Sequence, residues 1–239
     1  MAKVVVIREL RLGILKTFAG TNTDTGIYKQ EVDSAFLNTN GLSGDQQGDN
    51  NHHGGPEKAL HHFASDHYAR LRKELPELAA SHCKPGAFGE NLVTEGFTET
   101  DVCVGDVFKL GEAVIQVSQP RQPCWRLNLR FGISDMSQRL QNSLRTGWYY
   151  RVMQPGLVRR GDTLTHEQRP NPSWPLSRVL SLLYDATLEH VALMEMANLP
   201  QLSPNLRGLA QKRLETGKVE DWERRLFDGT RSIPGLPYQ

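Results

Sequence analysis

The spacing of apolar residues changes several times along the chain, and each change marks a different element. In "AVIQVSQPR", residues 113 to 121, Ile115 and Val117 alternate with Val114, Gln116 and Ser118, the period of a strand with one buried face. "KVVVIREL" is short and almost continuously apolar, and predicts a buried strand near the start of the chain. Glycine interrupts this region in "GLSGDQQGD", "KPGAFGENL", "CVGDVF", "KLGEA" and "VRRGDTL", several times as Gly-Asp. Such punctuation implies many short strands turning tight corners, as in a barrel.

A helical period interrupts the strands. "EKALHHFASDHYARLRKEL" carries Ala59, Leu60, Phe63, Ala64, His67, Tyr68 and Leu71 at spacings of three and four, which predicts one helix from about residue 57 to Pro76. Pro56 suits its first turn, where a missing N–H costs nothing. "SDMSQRLQNSLR" predicts a second helix, leading into the aromatic strand "GWYYRVMQPG". Pro170, Pro172 and Pro175 then crowd "RPNPSWP", which neither a helix nor a sheet interior tolerates, so a boundary falls there. The expected division is a β-barrel domain over 1–169 and a small α-helical bundle over 170–239. The bundle comprises "LSRVLSLLYD", "TLEHVALMEMANL" and "SPNLRGLAQKRLE", the last with Ser203 as N-cap and Pro204 in its first turn; "VEDWERRLFDG" adds a further short turn.

Composition narrows the function classes. With 28 basic and 27 acidic side chains in 239 residues, the net charge of +1 gives no electrostatic reason for nucleic-acid or membrane capture. No apolar run approaches the ~20 residues of a spanning helix, and the N-terminal run is too short for a secretory core. A soluble, cytoplasmic protein is expected. Cys83, Cys103 and Cys124 are an odd number with no CxxC pair, which argues against a disulfide framework or a zinc knuckle.

Candidate chemistry concentrates in two places. "GDQQGDNNHHGGPEKALHHF" brings glycines and polar residues to the predicted start of a helix, where backbone N–H groups can hold an anion; a surface loop is the equal alternative. The histidines in and just after it, His52, His53, His61, His62 and His67, form no HExxH pattern and read better as packed or capping residues than as a zinc centre. Cys124, in "QPRQPCWRLN", sits where a strand gives way to a loop stiffened by Pro120 and Pro123. Arg121, Arg126 and Arg130 would favour thiolate if they surround it, leaving three readings open: packing residue, nucleophile or soft metal ligand. Lys16, in "LGILKT", is either an ordinary surface lysine or a point charge projecting into the same cavity. Trp125 can line that pocket, while the aromatics of "GWYYRV" read as barrel packing.

Taken in order, "GLSGDQQGDNNHHGGPEKALHHF", "PGAFGENL", "VGDVFKLGEAVIQVSQPRQPCWRL" and "GWYYRVMQPGLVRRGD" resemble a MOSC domain, named for the C-terminal part of molybdenum cofactor sulfurases, over residues 1 to 165. The helices after "RPNPSWP" resemble the three-helix appendage of YiiM-type bacterial members. The resemblance implies a mainly β, MOSC-type barrel that binds the molybdenum cofactor through a cysteine thiolate, and Cys124 occupies that position. It places His53 and Lys16 in segments resembling those that supply a pocket histidine and lysine, with His52 adjacent to His53. Arg121 and Arg126, or the loop before Pro56, are the expected contacts of the pterin phosphate.

Members of this kind are similar to reductases of N-hydroxylated compounds, such as 6-N-hydroxylaminopurine, that protect against toxic and mutagenic hydroxylamines. The chain carries no GxGxxG fingerprint and no cysteine cluster for an iron–sulfur centre, so electrons are expected from a flavoprotein partner. Two other readings use the same pocket: a non-catalytic carrier of the cofactor or of sulfur, and a cysteine hydrolase with Cys124 activated by His53. Three roles are open to the terminal helices: donor docking, a homodimer contact, or a lid.

Overall fold

The computed structural model describes residues 4–49, 53–78 and 82–227. Its main sheet has nine strands in the order Val4–Val6, Thr163–Gln168, Val107–Leu110, Ala113–Pro120, Trp148–Gln154, Leu60–Ala64, Leu92–Thr94, Glu9–Gly13 and Lys29–Val32. All neighbours are antiparallel except Leu60–Ala64 and Leu92–Thr94, which run parallel, so the sheet is a mixed half-barrel. The mainly β fold with a C-terminal helical region agrees with the sequence-based expectation.

The alternation in "AVIQVSQPR" becomes strand Ala113–Pro120, with Ile115 and Val117 wholly buried. It lies between Val107–Leu110 and Trp148–Gln154, at the middle of the hydrogen-bonded ladder. The N-terminal run differs from expectation. Val4–Val6 is an edge strand paired only with Thr163–Gln168, and Val4 and Val6 are exposed. Val5 packs on the core while Val4 and Val6 point to the opposite, uncovered face, so three consecutive apolar residues here do not mean burial on both sides. The chain then continues through buried Ile7 to a separate strand, Glu9–Gly13, near the opposite edge.

The single helix predicted from residue 57 is in fact three elements: a 3-10 turn at Pro56–Lys58, strand Leu60–Ala64 and helix Asp66–Glu74. Every residue of Leu60–Ala64 is buried, because one edge pairs with Trp148–Tyr150, the other with Leu92–Thr94, and both faces are covered. A strand buried on two sides shows no alternation, and its apolar residues, Leu60, Phe63 and Ala64 on either side of two histidines, satisfied the helical spacing equally well. His61 and His62 consequently point to opposite faces of a strand instead of diverging around a helix. His62 is held between the Tyr150 hydroxyl (2.9 Å from Nδ1) and Thr94 Oγ1 (2.8 Å from Nε2). His67 lies 2.7 Å from the Glu99 carboxylate. Both are packed residues, as the sequence suggested, and no group of three or more metal-ligating side chains assembles among the described residues.

"SDMSQRLQNSLR" forms helix Met136–Asn142, and a helix not expected from the sequence, Arg126–Phe131, precedes it and ends on left-handed Gly132. These two helices and Asp66–Glu74 cover a second core built on Phe63, Tyr68, Phe88, Phe131 and Leu140. The proline-rich connector is strapped to the sheet: Arg169 reaches both Asp106 oxygens (3.0 and 2.7 Å), and the Val104 N–H donates to the Trp174 carbonyl. Beyond it stand helices Leu176–Tyr184, His190–Ala197 and Pro204–Thr216, then Glu223–Phe227. Val179, Leu183, Met196 and Leu206 belong to the same continuous core as Val117, Trp148 and Tyr150, so the bundle buries its apolar faces against the sheet. Ser203 holds the N-cap position, yet its hydroxyl donates to Gln119 Oε1 (2.8 Å) and its N–H to the Ser118 carbonyl (2.9 Å), joining the bundle to the central strand. No described helix is long and apolar enough to cross a membrane.

Candidate functional site

Strand Ala113–Pro120 delivers the chain to the site. After Pro120, the Arg121 N–H still donates to the Gly147 carbonyl (2.9 Å), and the turn then leads into helix Arg126–Phe131. Cys124 is partly exposed just before that helix, and its carbonyl accepts from the Leu127 N–H (3.0 Å). The opposite wall is the polar loop before residue 58. Arg151 grips the Glu57 carboxylate at 3.1 and 2.5 Å, and Ser118 Oγ donates to the Glu57 carbonyl (2.6 Å), which fixes the loop on the central strand. The His53 N–H donates to the Asp49 carbonyl (2.9 Å), and Arg126 pairs with the Asp49 carboxylate (3.3 Å) across the gap.

Glycine makes the remaining wall. A Cβ on Gly26 would lie 1.9 Å from the Gln46 carbonyl oxygen, and one on Gly48 would lie 2.2 Å from the Asp24 oxygen. The two backbones pass too close for any side chain, which lets the loop lie flat beside the cavity. Beneath it a buried Lys29–Asp45 pair (2.7 Å) is tied to Asn91, whose Nδ2 donates to Asp45 Oδ2 at 2.9 Å.

Two cavities meet at Cys124. The inner one, about 60 Å³, reaches Lys29, His61 and Asn91; the outer, about 590 Å³, reaches Trp125, Arg224 and Arg225. His53, Lys58, Arg121, Cys124, Arg126 and Tyr149 line both. The Cys124 sulfur lies 3.7 Å from His53 Nε2. Burial pushes the thiol up, but the hydrogen bond and charge of His53, then Arg121 and the Arg126 N–H, outweigh it and bring the pKa to about 6. The thiol is therefore mostly thiolate at neutral pH. Burial pushes Lys58 down from the ordinary lysine value, against the pull of Cys124 and Asp49. It also drives His61 well down, with Arg121 adding to the effect, so His61 is neutral. Burial raises the Tyr149 hydroxyl, which stays protonated.

Of the sequence candidates, Cys124, His53, Arg121 and Arg126 converge. Lys16 does not join them: its ammonium lies 5.6 Å above the Tyr28 ring and it lines neither cavity. Arg130 stacks on that same ring at 4.6 Å. His52 falls outside the described residues. The lysine that does reach the site is Lys58, within the polar segment already singled out; its position after Gly-Gly-Pro was the available signal. Tyr149, His61 and Lys29 were missed because each is brought in by strand pairing, and Asn91 because backbone bonds to His61 and Arg11 just ahead of strand Leu92–Thr94 hold it there; no local pattern marks any of them.

Residues 49–165 match the MOSC domain family, and residues 174–217 match the YiiM-like 3-alpha helix domain. Protein YiiM from Escherichia coli strain K12 is 39% identical over 213 residues, covering 85% of this chain and 90% of its own. The crystal structure of YiiM from Escherichia coli superimposes with a TM-score of 0.76 at 35% identity, covering 91% of this chain and 99% of that one. A protein of Gibberella moniliformis (strain M3125 / FGSC 7600) named "Reductase" is 36% identical over 88% of this chain, which spans only 38% of that longer protein. With both segments present in order, and with this identity over most of two chains, the protein belongs to the YiiM-like family of MOSC-domain proteins.

Proposed function

We propose that the protein is a molybdenum-cofactor-dependent reductase of N-hydroxylated compounds, supplied with electrons by a flavoprotein. The observation that carries this reading is a partly exposed thiolate, Cys124, at the junction of two cavities and ringed by Lys58, Arg121 and Arg126. MOSC domains as a class are associated with this cofactor, and the fungal relative's name adds weight to reduction.

The residues fit such a group. A single soft thiolate suits molybdenum better than a hard cation, which would require several oxygen ligands. Arg121 Nη1 and Arg126 Nε are buried with no hydrogen-bond partner among the described residues, and guanidinium groups in that state suit a phosphate. Cys124 would ligate the metal, and Arg121 and Arg126 would hold the pterin phosphate. When bound, the cofactor supplies a metal that exchanges two electrons.

The reaction is R–NHOH plus two electrons and two protons giving R–NH₂ and water. His53 Nε2, beside the sulfur, is placed to give one proton to the departing oxygen, a role imidazole suits near neutral pH. Tyr149 and Lys58 provide further donors on the same walls. The outer cavity, with Trp125 along it, has room for a planar substrate body.

The test is elemental and pterin analysis of gently purified wild type and Cys124→Ala, with turnover of 6-N-hydroxylaminopurine by a chemical reductant. The expected result is molybdenum and turnover in wild type and a folded, metal-free Cys124→Ala; stoichiometric metal in the variant overturns the ligand role. Cofactor bound tightly without turnover would mark a carrier instead. The Cys124–His53 contact also favours one other reading, a thiol hydrolase. Covalent acylation of Cys124 by an activated ester in metal-free protein, followed by His53-dependent release, would select it.

A further inference from the structure

The short helix after the three-helix bundle, Glu223–Phe227, packs against the Cys124 turn. On one side of Cys124, Arg225 Nη1 donates to the Pro123 carbonyl. On the other, the Trp125 N–H donates to the Arg225 carbonyl at 2.8 Å. The second arm of the same guanidinium, Nη2, donates to Gln141 Oε1 at 2.6 Å. One residue further, the buried Leu226 carbonyl accepts from Asn128 Nδ2 (2.8 Å) and Ser137 Oγ (2.9 Å), fastening the two helices that follow the turn.

The Cys124 turn needs such outside partners. The turn's own carbonyls take up the first helical N–H groups, Leu127 onto Cys124 and Asn128 onto Trp125, which leaves the Pro123 carbonyl and the Trp125 N–H on either side of Cys124 to be paired from outside. The partners come from the C-terminal region, and a continuous set of contacts leads back into it. The Arg225 guanidinium lies 5.8 Å over the Tyr184 ring, Tyr184 meets Trp222 edge-on at 5.4 Å, and Trp222 Nε1 donates to Glu220 Oε1 at 2.9 Å. Glu220 in turn pairs with Arg213, buried among the bundle helices (2.8 Å). Arg224 and Arg225 also line the outer cavity.

We infer that the helical appendage is a working part of the Cys124 site: Arg225 is a positioning residue that clamps the Cys124 turn on both flanks, and helix Glu223–Phe227 forms one wall of the outer cavity. This rests on Cys124 being the reactive group of the site, whichever reaction it serves. A lid or a docking platform would leave the geometry of the turn independent of Arg225; a clamp makes the thiol's reactivity depend on it.

The experiment uses full-length, metal-free protein, so its outcome does not depend on the molybdenum reading. Alkylation of Cys124 by iodoacetamide is followed at pH 5 in Arg225→Ala, Arg225→Lys, Gln141→Ala and Arg178→Ala, each with its thermal midpoint. Arg178 belongs to the same bundle, pairing with Glu195 at 2.8 Å and stacking on Trp174 at 4.0 Å, and takes part in none of the hydrogen bonds of the turn described above. Arg225→Ala is expected to slow the reaction by about threefold or more, in line with the sensitivity of thiolates to their surroundings. Lysine, which restores the charge but not the fork, is expected to recover part of the loss. Gln141→Ala, which removes only the far anchor of the guanidinium, is expected to shift the rate in the same direction by less, and it carries the test if Arg225→Ala does not fold. Arg178→Ala is expected to alkylate at the wild-type rate. A wild-type rate in both Arg225→Ala and Gln141→Ala, or an equal change in Arg178→Ala, overturns the inference.

Discussion

Replacing His53 by alanine is expected to return Cys124 towards an ordinary thiol, and alkylation against pH measures the return. With a pKa of about 6 in place of 9.0, Cys124 is about 90% thiolate at pH 7 where an unperturbed thiol is about 1%. Thiolate nucleophilicity falls with basicity at a Brønsted slope of about 0.4–0.5, so three units cost roughly 20- to 30-fold in intrinsic reactivity. At pH 7 the two effects nearly cancel, leaving an advantage of only about three- to fivefold. At pH 5 the thiolate ratio is about 900, and the net advantage grows to roughly 30- to 45-fold. Acid pH is therefore where the assay discriminates. In metal-free wild type, the iodoacetamide rate should rise as pH increases through about 6 and level off above it. His53→Ala removes the two largest influences that lower the pKa, leaving Arg121 and the Arg126 N–H against burial, so its midpoint should move up. Cys103 is buried and its thiol is pushed up by burial, so it contributes little at pH 5, and Cys124→Ala supplies the background. A wild-type midpoint of 8 or above, or an unchanged midpoint in His53→Ala, would refute the electrostatic account of the site.

Two further expectations concern the scaffold. Arg213, only 2% exposed, donates to the Leu182, Leu183 and Thr187 carbonyls (2.9, 3.0 and 3.2 Å) and pairs with Glu220, so it caps the end of helix Leu176–Tyr184 from inside the bundle. Arg213→Met strands those acceptors and should lower unfolding free energy by about 3–5 kcal/mol in urea; a loss below ~1 kcal/mol would show that water replaces the guanidinium. His62 is pushed down to about 3 by burial and, secondarily, by His67. The unfolded chain takes up that proton near pH 6.5 and the folded chain only near 3, so stability is full above 6.5 and falls by about 1.4 kcal/mol per unit below it. Unfolding free energy in urea should be about 1.3 kcal/mol lower at pH 5.5 than at pH 7, and the difference should be smaller in His62→Gln.

The same residues show why some of the fold could be read along the chain and some could not. The central strand announced itself because one of its faces alternates, and the bundle helices because their apolar stripes repeat with helical period over nine or more residues in two of three cases. Leu60–Ala64 concealed its identity because pairing on both edges and packing on both faces remove alternation altogether. That misreading had a functional cost: as a strand, the segment turns His61 towards the inner cavity and His62 into the core, and the two histidines acquire opposite fates from adjacent positions. Cys124 and the arginines around it were visible because they lie within one short segment, and His53 was reached through the resemblance of its loop. Lys16 failed for a geometric reason. It precedes a tight excursion, Lys16–Thr17 pairing with Asp24–Thr25, that carries its side chain onto Tyr28, while Gly26 and Thr25 from the return arm line the cavity instead. Lys58 fills the cationic place because Glu57 fixes the loop carrying it, to Ser118 on the central strand and to Arg151 on its neighbour, contacts 61 and 94 residues long in sequence that no local pattern encodes. The clamp by Arg225 is longer still, 102 residues from Pro123. Local pattern therefore located the thiol, and long-range packing decides which cations surround it and what holds its turn, so the terminal helices belong to the description of the site as much as the strand that carries Cys124.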